Sequence, residues 1–258
     1  MEAKINRTNT LSNIATMAYR NLLKTWHNPD RLMDVIVQPV MFMVMFGYLF
    51  GGAVAGGVAA YLPTIVPGIL MQTMLSAAAG SGSQIREDLD SGVFDRFKSL
   101  PIAHIAPLAG QLFADVLRLT IAAAASIVTG YLMGWRPAAG IGWMIVAALL
   151  AIFSGWAFSW IFALLGLLAK SATMVQSFST MAMMLLSFMS NAFIPVKTLP
   201  TVARIIANAN PLSFVITAVR ELLTKGAWTE TSLLVLVLGM GIVLIFAPLT
   251  VWAYNHNR

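Results

Sequence analysis

Few residues in this chain have the type and spacing for chemistry, and the first to test is Gly92-Val-Phe-Asp-Arg-Phe97-Lys98-Ser99. It comes within one residue of the phosphate-binding pattern GxxxxGK[ST], in which backbone N–H groups close around phosphate oxygens. Phe97 stands where that pattern needs its second glycine, and Glu87, Asp88 and Asp90 just upstream carry the wrong sign of charge for phosphate. No nucleotide site is therefore expected in this chain. The absence of cysteine removes disulfides and thiolate metal sites and leaves the redox compartment unreadable. Neither a catalytic residue nor a metal site is expected.

Asp115 and Arg118 are the second candidates. They lie three apart, on one helical face, inside an apolar stretch. An unpaired charge in the membrane costs on the order of 2.5–3.5 kcal/mol on insertion scales, so mutual neutralisation is the favoured reading. A proton relay is the alternative, and it predicts more membrane carboxylates than this chain carries. Asp34 sits at a membrane boundary in the same way.

The elements that position these residues are membrane helices. Hydrophobic residues fill 59% of 258 positions, against roughly 45–50% in soluble domains, and mean hydropathy is +0.80. Apolar runs near residues 35–55, 58–80, 119–133, 141–169, 174–194 and 231–254 approach the roughly 20 residues needed to cross a bilayer as a helix. The third run is long enough only if it starts near Pro107 and takes in Asp115 and Arg118. The expected fold is an all-α polytopic membrane protein with six transmembrane helices.

The net charge is +6, but the basic residues sit between apolar spans and form no continuous groove, so the lipid bilayer is the expected partner and nucleic acid is not. Lys4, Arg7, Arg20, Lys24 and Arg31 precede span 1, Arg86, Arg96 and Lys98 separate spans 2 and 3, Lys170 separates spans 4 and 5, and Arg258 is last. By the positive-inside rule both termini face the cytosol. Lys197, Arg204, Arg220 and Lys225 weigh the other way and narrow the margin. The first 30 residues are polar and basic, and the first apolar run is too long and too far from Met1 for a cleavable signal peptide.

Residues 10–27 read as an amphipathic helix on the cytosolic surface, with Leu11, Ile14, Ala15, Ala18 and Leu22 on one face and Asn13, Thr16, Arg20, Lys24 and His27 on another. Residues 194–230 are too apolar for a solvated loop yet are cut by Pro195, Pro200 and the Asn210-Pro211 pair. That pattern predicts two re-entrant outer helices, near 202–209 and 213–223, with Asn208 and Asn210 serving backbone groups at the break. A seventh continuous span is the competing reading.

Charge gathers in one island, Arg86 to Lys98. Arg86, Glu87, Asp88 and Asp90 offer polar anchors, Gly92 allows a bend, and Phe94, Phe97 and Leu100 fall at helical spacing around Arg96 as an apolar knob before Pro101. The expectation is a docking helix for a protein outside the bilayer, against the plainer reading of a charged cytosolic loop. Polar stripes occur in two spans. Span 5 carries Thr173, Gln176, Thr180, Ser187 and Asn191 among methionines, and span 2 carries Gln72, Thr73, Ser76 and Ser83. Hydroxyls, amides and deformable methionines together suit a path for amphiphilic cargo, and equally suit helix packing.

Five sequence blocks carry a family resemblance. They are Asp34-x-x-x-Gln38-Pro39 running to Phe46-Gly-Tyr-Leu-Phe-Gly51-Gly52; Pro67-Gly68-Ile-Leu; Glu87 through Pro101; Pro107-Leu-Ala-Gly110 with Asp115; and Asn210-Pro-Leu-Ser with Arg220. In combination the chain resembles the membrane subunit of type-2 ABC exporters, nearest the daunorubicin-resistance type, from about residue 30 onward. The resemblance implies a second permease subunit, either an identical copy or a close paralogue, and soluble P-loop ATPase subunits that bind ATP and Mg and dock from the cytosol. It also implies that residues 84–106 are the ATPase-coupling segment of a transmembrane domain spanning 31–258, with residues 1–30 resting against the motor. The broken outer helices, 194–230, would close the external side. The function so implied is the permease half of an ATP-driven exporter of hydrophobic or amphiphilic compounds in the cell membrane. Export of a lipid-linked glycan, or an ATPase-independent role as a proton-coupled transporter or assembly factor, are the alternatives.

Overall fold

The computed structural model describes residues 16–21, 23, 29–94, 106–194 and 200–256. Among them the regular elements are helices: α1 (Pro29–Ala55), α2 (Val58–Asp90), α3 (Ala106–Leu132), α4 (Gly140–Leu168), α5 (Ala172–Phe188), α6 (Thr201–Ala209), α7 (Pro211–Lys225) and α8 (Glu230–His256). Five are long and apolar enough to cross a membrane, and the number rises to six if α6 and α7, bent by 81° at their junction, count as one span. The expected start of the third span near Pro107 is observed, because α3 runs unbroken through Asp115 and Arg118.

Two runs fold differently from their apolar lengths. The second, 58–80, lies within a helix of 33 residues that continues to Asp90. The first half of the charged island is thus the end of a membrane helix, not a separate element. Gly92, with φ of +68°, then turns the chain as expected. The run 174–194 is interrupted. α5 has 17 residues, about 26 Å at 1.5 Å each, and stops at Phe188 before a turn through Asn191. Polar side chains offer that backbone competing partners: Ser190 Oγ donates to the Ser187 carbonyl (2.6 Å), and the Ala192 N–H donates to Ser190 Oγ (3.1 Å).

α2 is the spine of the bundle, packing on α1, α3, α4, α5 and α7. Small residues permit its approach. A Cβ on Gly82 would strike the Phe162 carbonyl oxygen, one on Gly166 the Gly82 carbonyl oxygen, and one on Gly68 the Ala192 carbonyl oxygen. Membrane helices gain their association from such close packing, since lipid supplies no hydrophobic drive between them. The main core runs along α2 through Ile65, Ile69 and Met74 to Leu119 and Ala151. A second, smaller core lies at the end where α2 finishes, joining Ile85, Phe94, Leu108, Leu112, Leu167 and Tyr254.

Of the amphipathic stretch 10–27, residues 16–21 and 23 are described and helical. Met17 and Ala18 press on Gly110 near the start of α3, where a Cβ would collide with them. The remainder of that stretch lies outside the described residues.

Candidate functional site

A cavity of about 320 Å³ opens between α1, α2 and α5. Gln38, Thr73, Ser76, Gln176, Thr180 and Met183 line it, together with Glu87 at the island end and Arg118 of α3. The amides and hydroxyls are already bonded to one another. Ser76 Oγ donates to Gln38 Oε1 (2.9 Å), Ser83 Oγ to Gln176 Oε1 (3.2 Å), and Thr73 Oγ1 back to the Ile69 carbonyl (2.7 Å). A wall of this kind is polar without being costly when empty. No cluster of metal-ligating side chains occurs among the described residues.

Of the polar stripe residues expected from the sequence, Thr73, Ser76, Ser83, Gln176 and Thr180 meet at this cavity. The others do not. Gln72 and Ser187 are buried in helix packing, and Thr173 is exposed at the start of α5 outside the lining. Asn191 is buried in the turn after α5, where its Nδ2 donates to Thr217 Oγ1 (2.8 Å). Gln38 of α1 was absent from the expected path. One polar residue in an apolar run carries no period, although its place four residues after Asp34 and just before Pro39 was the available signal.

Asp115 and Arg118 form the pair their spacing predicts, with Arg118 Nη2 3.0 Å from Asp115 Oδ1 and both side chains buried. Ser81 Oγ donates to Asp115, and Arg118 also donates to Ser81 Oγ (2.9 Å) and to the Ala77 carbonyl. The pair therefore binds α3 to α2. Gly80 leaves the room, since a Cβ there would sit 3.1 Å from Arg118 Nη1.

At the island end, Arg86 pairs with Asp90 and donates to the Ala169 carbonyl (2.8 Å), tying α2 to the end of α4. Glu87 and Asp90 are exposed, whereas Asp88 is buried. Phe94 does not project as part of an apolar knob. It is 3% exposed, with its ring edge-to-face on Tyr254 at 5.3 Å. The sequence could not supply this direction, because the partner is 160 residues away in α8. Arg96, Phe97, Leu100 and Pro101 lie outside the described residues.

At the opposite end, the bent pair is gripped by side chains. Asn210 caps α7 by accepting from the Leu212 N–H (2.9 Å), and its Nδ2 donates to the Leu186 and Met189 carbonyls (2.8 and 2.9 Å). This is the service to broken backbone expected of Asn210. Asn208 is exposed. Arg220 donates to the Thr64 and Asn191 carbonyls (3.1 and 3.0 Å), and Tyr61 Oη to the Phe193 carbonyl (2.7 Å). Arg220, in sequence a topological charge and a family marker, is in the fold a clamp between α7, α2 and the turn. Asn210→Ala is expected to lower stability by about 2 kcal/mol through loss of the cap and of two backbone partners. The check is the unfolding midpoint in detergent, and an unchanged midpoint would show that the break holds without Asn210.

Residues 12–224 match the family described as ABC-2 type transporter. The chain is 38% identical over 254 residues to the daunorubicin resistance ABC transporter permease protein DrrB1 of Streptomyces coeruleorubidus, covering 98% of this chain and 89% of that protein. It is 31% identical over 103 residues to the doxorubicin resistance ABC transporter permease protein DrrB of Mycobacterium tuberculosis, covering 40% of this chain and 36% of the relative. A helical bundle with a polar lateral cavity and charge at one end is compatible with that kinship, and its extent settles the family: this chain belongs to the ABC-2 type transporters and is a membrane permease.

Proposed function

We propose that this chain is the permease half of an ATP-driven exporter of hydrophobic or amphiphilic, drug-like compounds. The observation that carries the reading is the cavity between α1, α2 and α5. It combines hydroxyls and amides that are already mutually bonded with Met183, and so can hold varied amphiphiles without demanding one fixed partner. The drug-resistance roles named for the relatives support the same cargo class. In this reading the chain crosses the cell membrane six times, with α5 as the fifth span and α6 and α7 as a re-entrant outer pair. Both termini face the cytosol, and residues 1–30 form an interfacial helix beside the motor. Two permease copies, or this chain and a close paralogue, pair above two soluble P-loop ATPase subunits that bring ATP and Mg. Residues 84–106 are the coupling segment, with the exposed acids Glu87 and Asp90 facing the motor.

The test is daunorubicin uptake into inside-out proteoliposomes, with and without the ATPase subunit. Uptake is expected only with both proteins and ATP. Uptake that persists without the ATPase and collapses with the proton gradient would overturn the proposal in favour of a secondary transporter. A lipid-linked glycan moved in place of the drug would redirect the cargo class. Glu87→Ala combined with Asp90→Ala is expected to leave insertion intact and weaken co-purification of the ATPase about tenfold or more, as loss of two charge contacts implies. Full retention would move the docking face elsewhere.

A further inference from the structure

The inward turn of Phe94 gives the coupling end a connection that docking alone does not require. Phe94 and Tyr254 are 3% and 2% exposed, and they meet edge-to-face in a core that also holds Ile85 of α2, Leu108 and Leu112 of α3, and Leu167 of α4. Tyr254 belongs to α8, 27 residues long and so about 40 Å from end to end. The helix stays continuous through Pro248, and Thr250 Oγ1 reaches the Trp160 carbonyl (3.3 Å) of α4. At its far end α8 meets the bent pair, where Val235, Leu238 and Ile242 share a small apolar recess with Pro211 and Val215 of α7. One helix thus touches the segment after Gly92 at one end and the gripped outer pair at the other.

We propose that α8 is a transmission element, and that Tyr254 is the positioning residue through which displacement of the segment around Phe94 reaches α7. A close-packed interior shifts between discrete arrangements instead of absorbing strain. A side chain wedged between two helix ends therefore moves both or neither. Coupling carried this way needs a contiguous packed route with two arrangements, and the route here runs from Phe94 to Tyr254, along α8, to Val215. The inference rests on the proposed ATP-driven function.

The experiment uses full-length chain co-expressed with its ATPase subunit and reconstituted in liposomes, with daunorubicin as the probe. Tyr254→Leu is expected to retain ATPase co-purification within about twofold but to lower daunorubicin-stimulated ATP hydrolysis about fivefold, while Tyr254→Phe, which keeps the ring, behaves as the parent. The chain lacks cysteine, so Asn208→Cys on α6 gives a clean outer reporter. Its labelling by a membrane-impermeant maleimide should change when ATP and vanadate trap the parent, and should stay constant with Tyr254→Leu. Where Tyr254→Leu fails to insert, Tyr254→Met is read instead. The inference is overturned if the substituted protein stimulates and labels as the parent does. It is also overturned if co-purification falls in step with stimulation, because Tyr254 then only shapes the docking face, or if Tyr254→Phe fails equally. A parent chain that recruits no ATPase overturns the proposed function first, and this inference with it.

Discussion

Arg118→Ala is expected to cost about 3–5 kcal/mol, the penalty for leaving a buried charge without its partner. The loss should appear as a fall in inserted, monodisperse protein and in the unfolding midpoint in detergent. Asp115 would keep the Ser81 hydroxyl but lose the cation 3.0 Å away, and a buried charge without its partner is costly. The Ala77 carbonyl would lose its guanidinium donor as well. Replacing both members, with Asp115→Leu and Arg118→Met, removes the charges together and is expected to restore stability to within about 1–2 kcal/mol of the parent, since a buried pair often does no better than well-packed apolar side chains. A double substitution that folds and still transports assigns the pair to architecture. One that folds and has lost all transport would show that the pair works in the cycle, and the structural reading would fall. Arg118→Ala with an unaltered midpoint would sink it sooner.

Gly82→Val should be nearly as damaging, about 3 kcal/mol or more, at the upper end of what overpacking costs. Its Cβ would meet the Phe162 carbonyl oxygen, and the Cβ of the reciprocal Gly166→Val the Gly82 carbonyl oxygen. In both cases the obstacle is backbone, so no rotamer change relieves it and α2 and α4 must separate along the most heavily packed seam of the bundle. The two substitutions widen one contact, so their combined cost should be less than the sum. Gly52→Ala and Gly142→Ala, where nothing lies within 4 Å of the added carbon, supply the control. These should change stability by no more than about 0.5 kcal/mol. If Gly82→Val unfolds at the same temperature as Gly52→Ala, α2 and α4 are not held at backbone contact.

The bent pair, α6 and α7, shows how far local sequence reaches. Proline at 200 and the Asn210-Pro211 pair stop helices for reasons internal to the backbone, and the observed helices, Thr201–Ala209 and Pro211–Lys225, fall where those stops put them. The 81° bend and the clamp by Arg220 were not readable, because the Thr64 and Asn191 carbonyls that hold the guanidinium come from distant parts of the chain. The early end of α5 was hidden for a related reason. Hydropathy averages over Asn191, whereas the side-chain bonds around Ser190 act on individual backbone groups.

By itself the sequence determined that this chain is helical and embedded in lipid, because apolar runs near 20 residues have no other way to satisfy their backbone. It determined the start of α3, since the run was too short without Asp115 and Arg118, and the pairing of those residues, since three positions along a helix share a face. It also gave the ground for expecting no nucleotide site, a phenylalanine where a phosphate pattern needs glycine. The tertiary structure decided everything that depends on which helices are neighbours. It gathered Gln38, Ser76 and Gln176 from three helices around one cavity, turned Phe94 inward onto Tyr254, and set Gly82 against Phe162. Periodicity states which face of a helix is apolar or polar but not what stands opposite, and in a bundle surrounded by lipid nearly every face is apolar. The partner of each side chain is chosen by steric fit between helices, a property of the assembled bundle that no single stretch of chain contains.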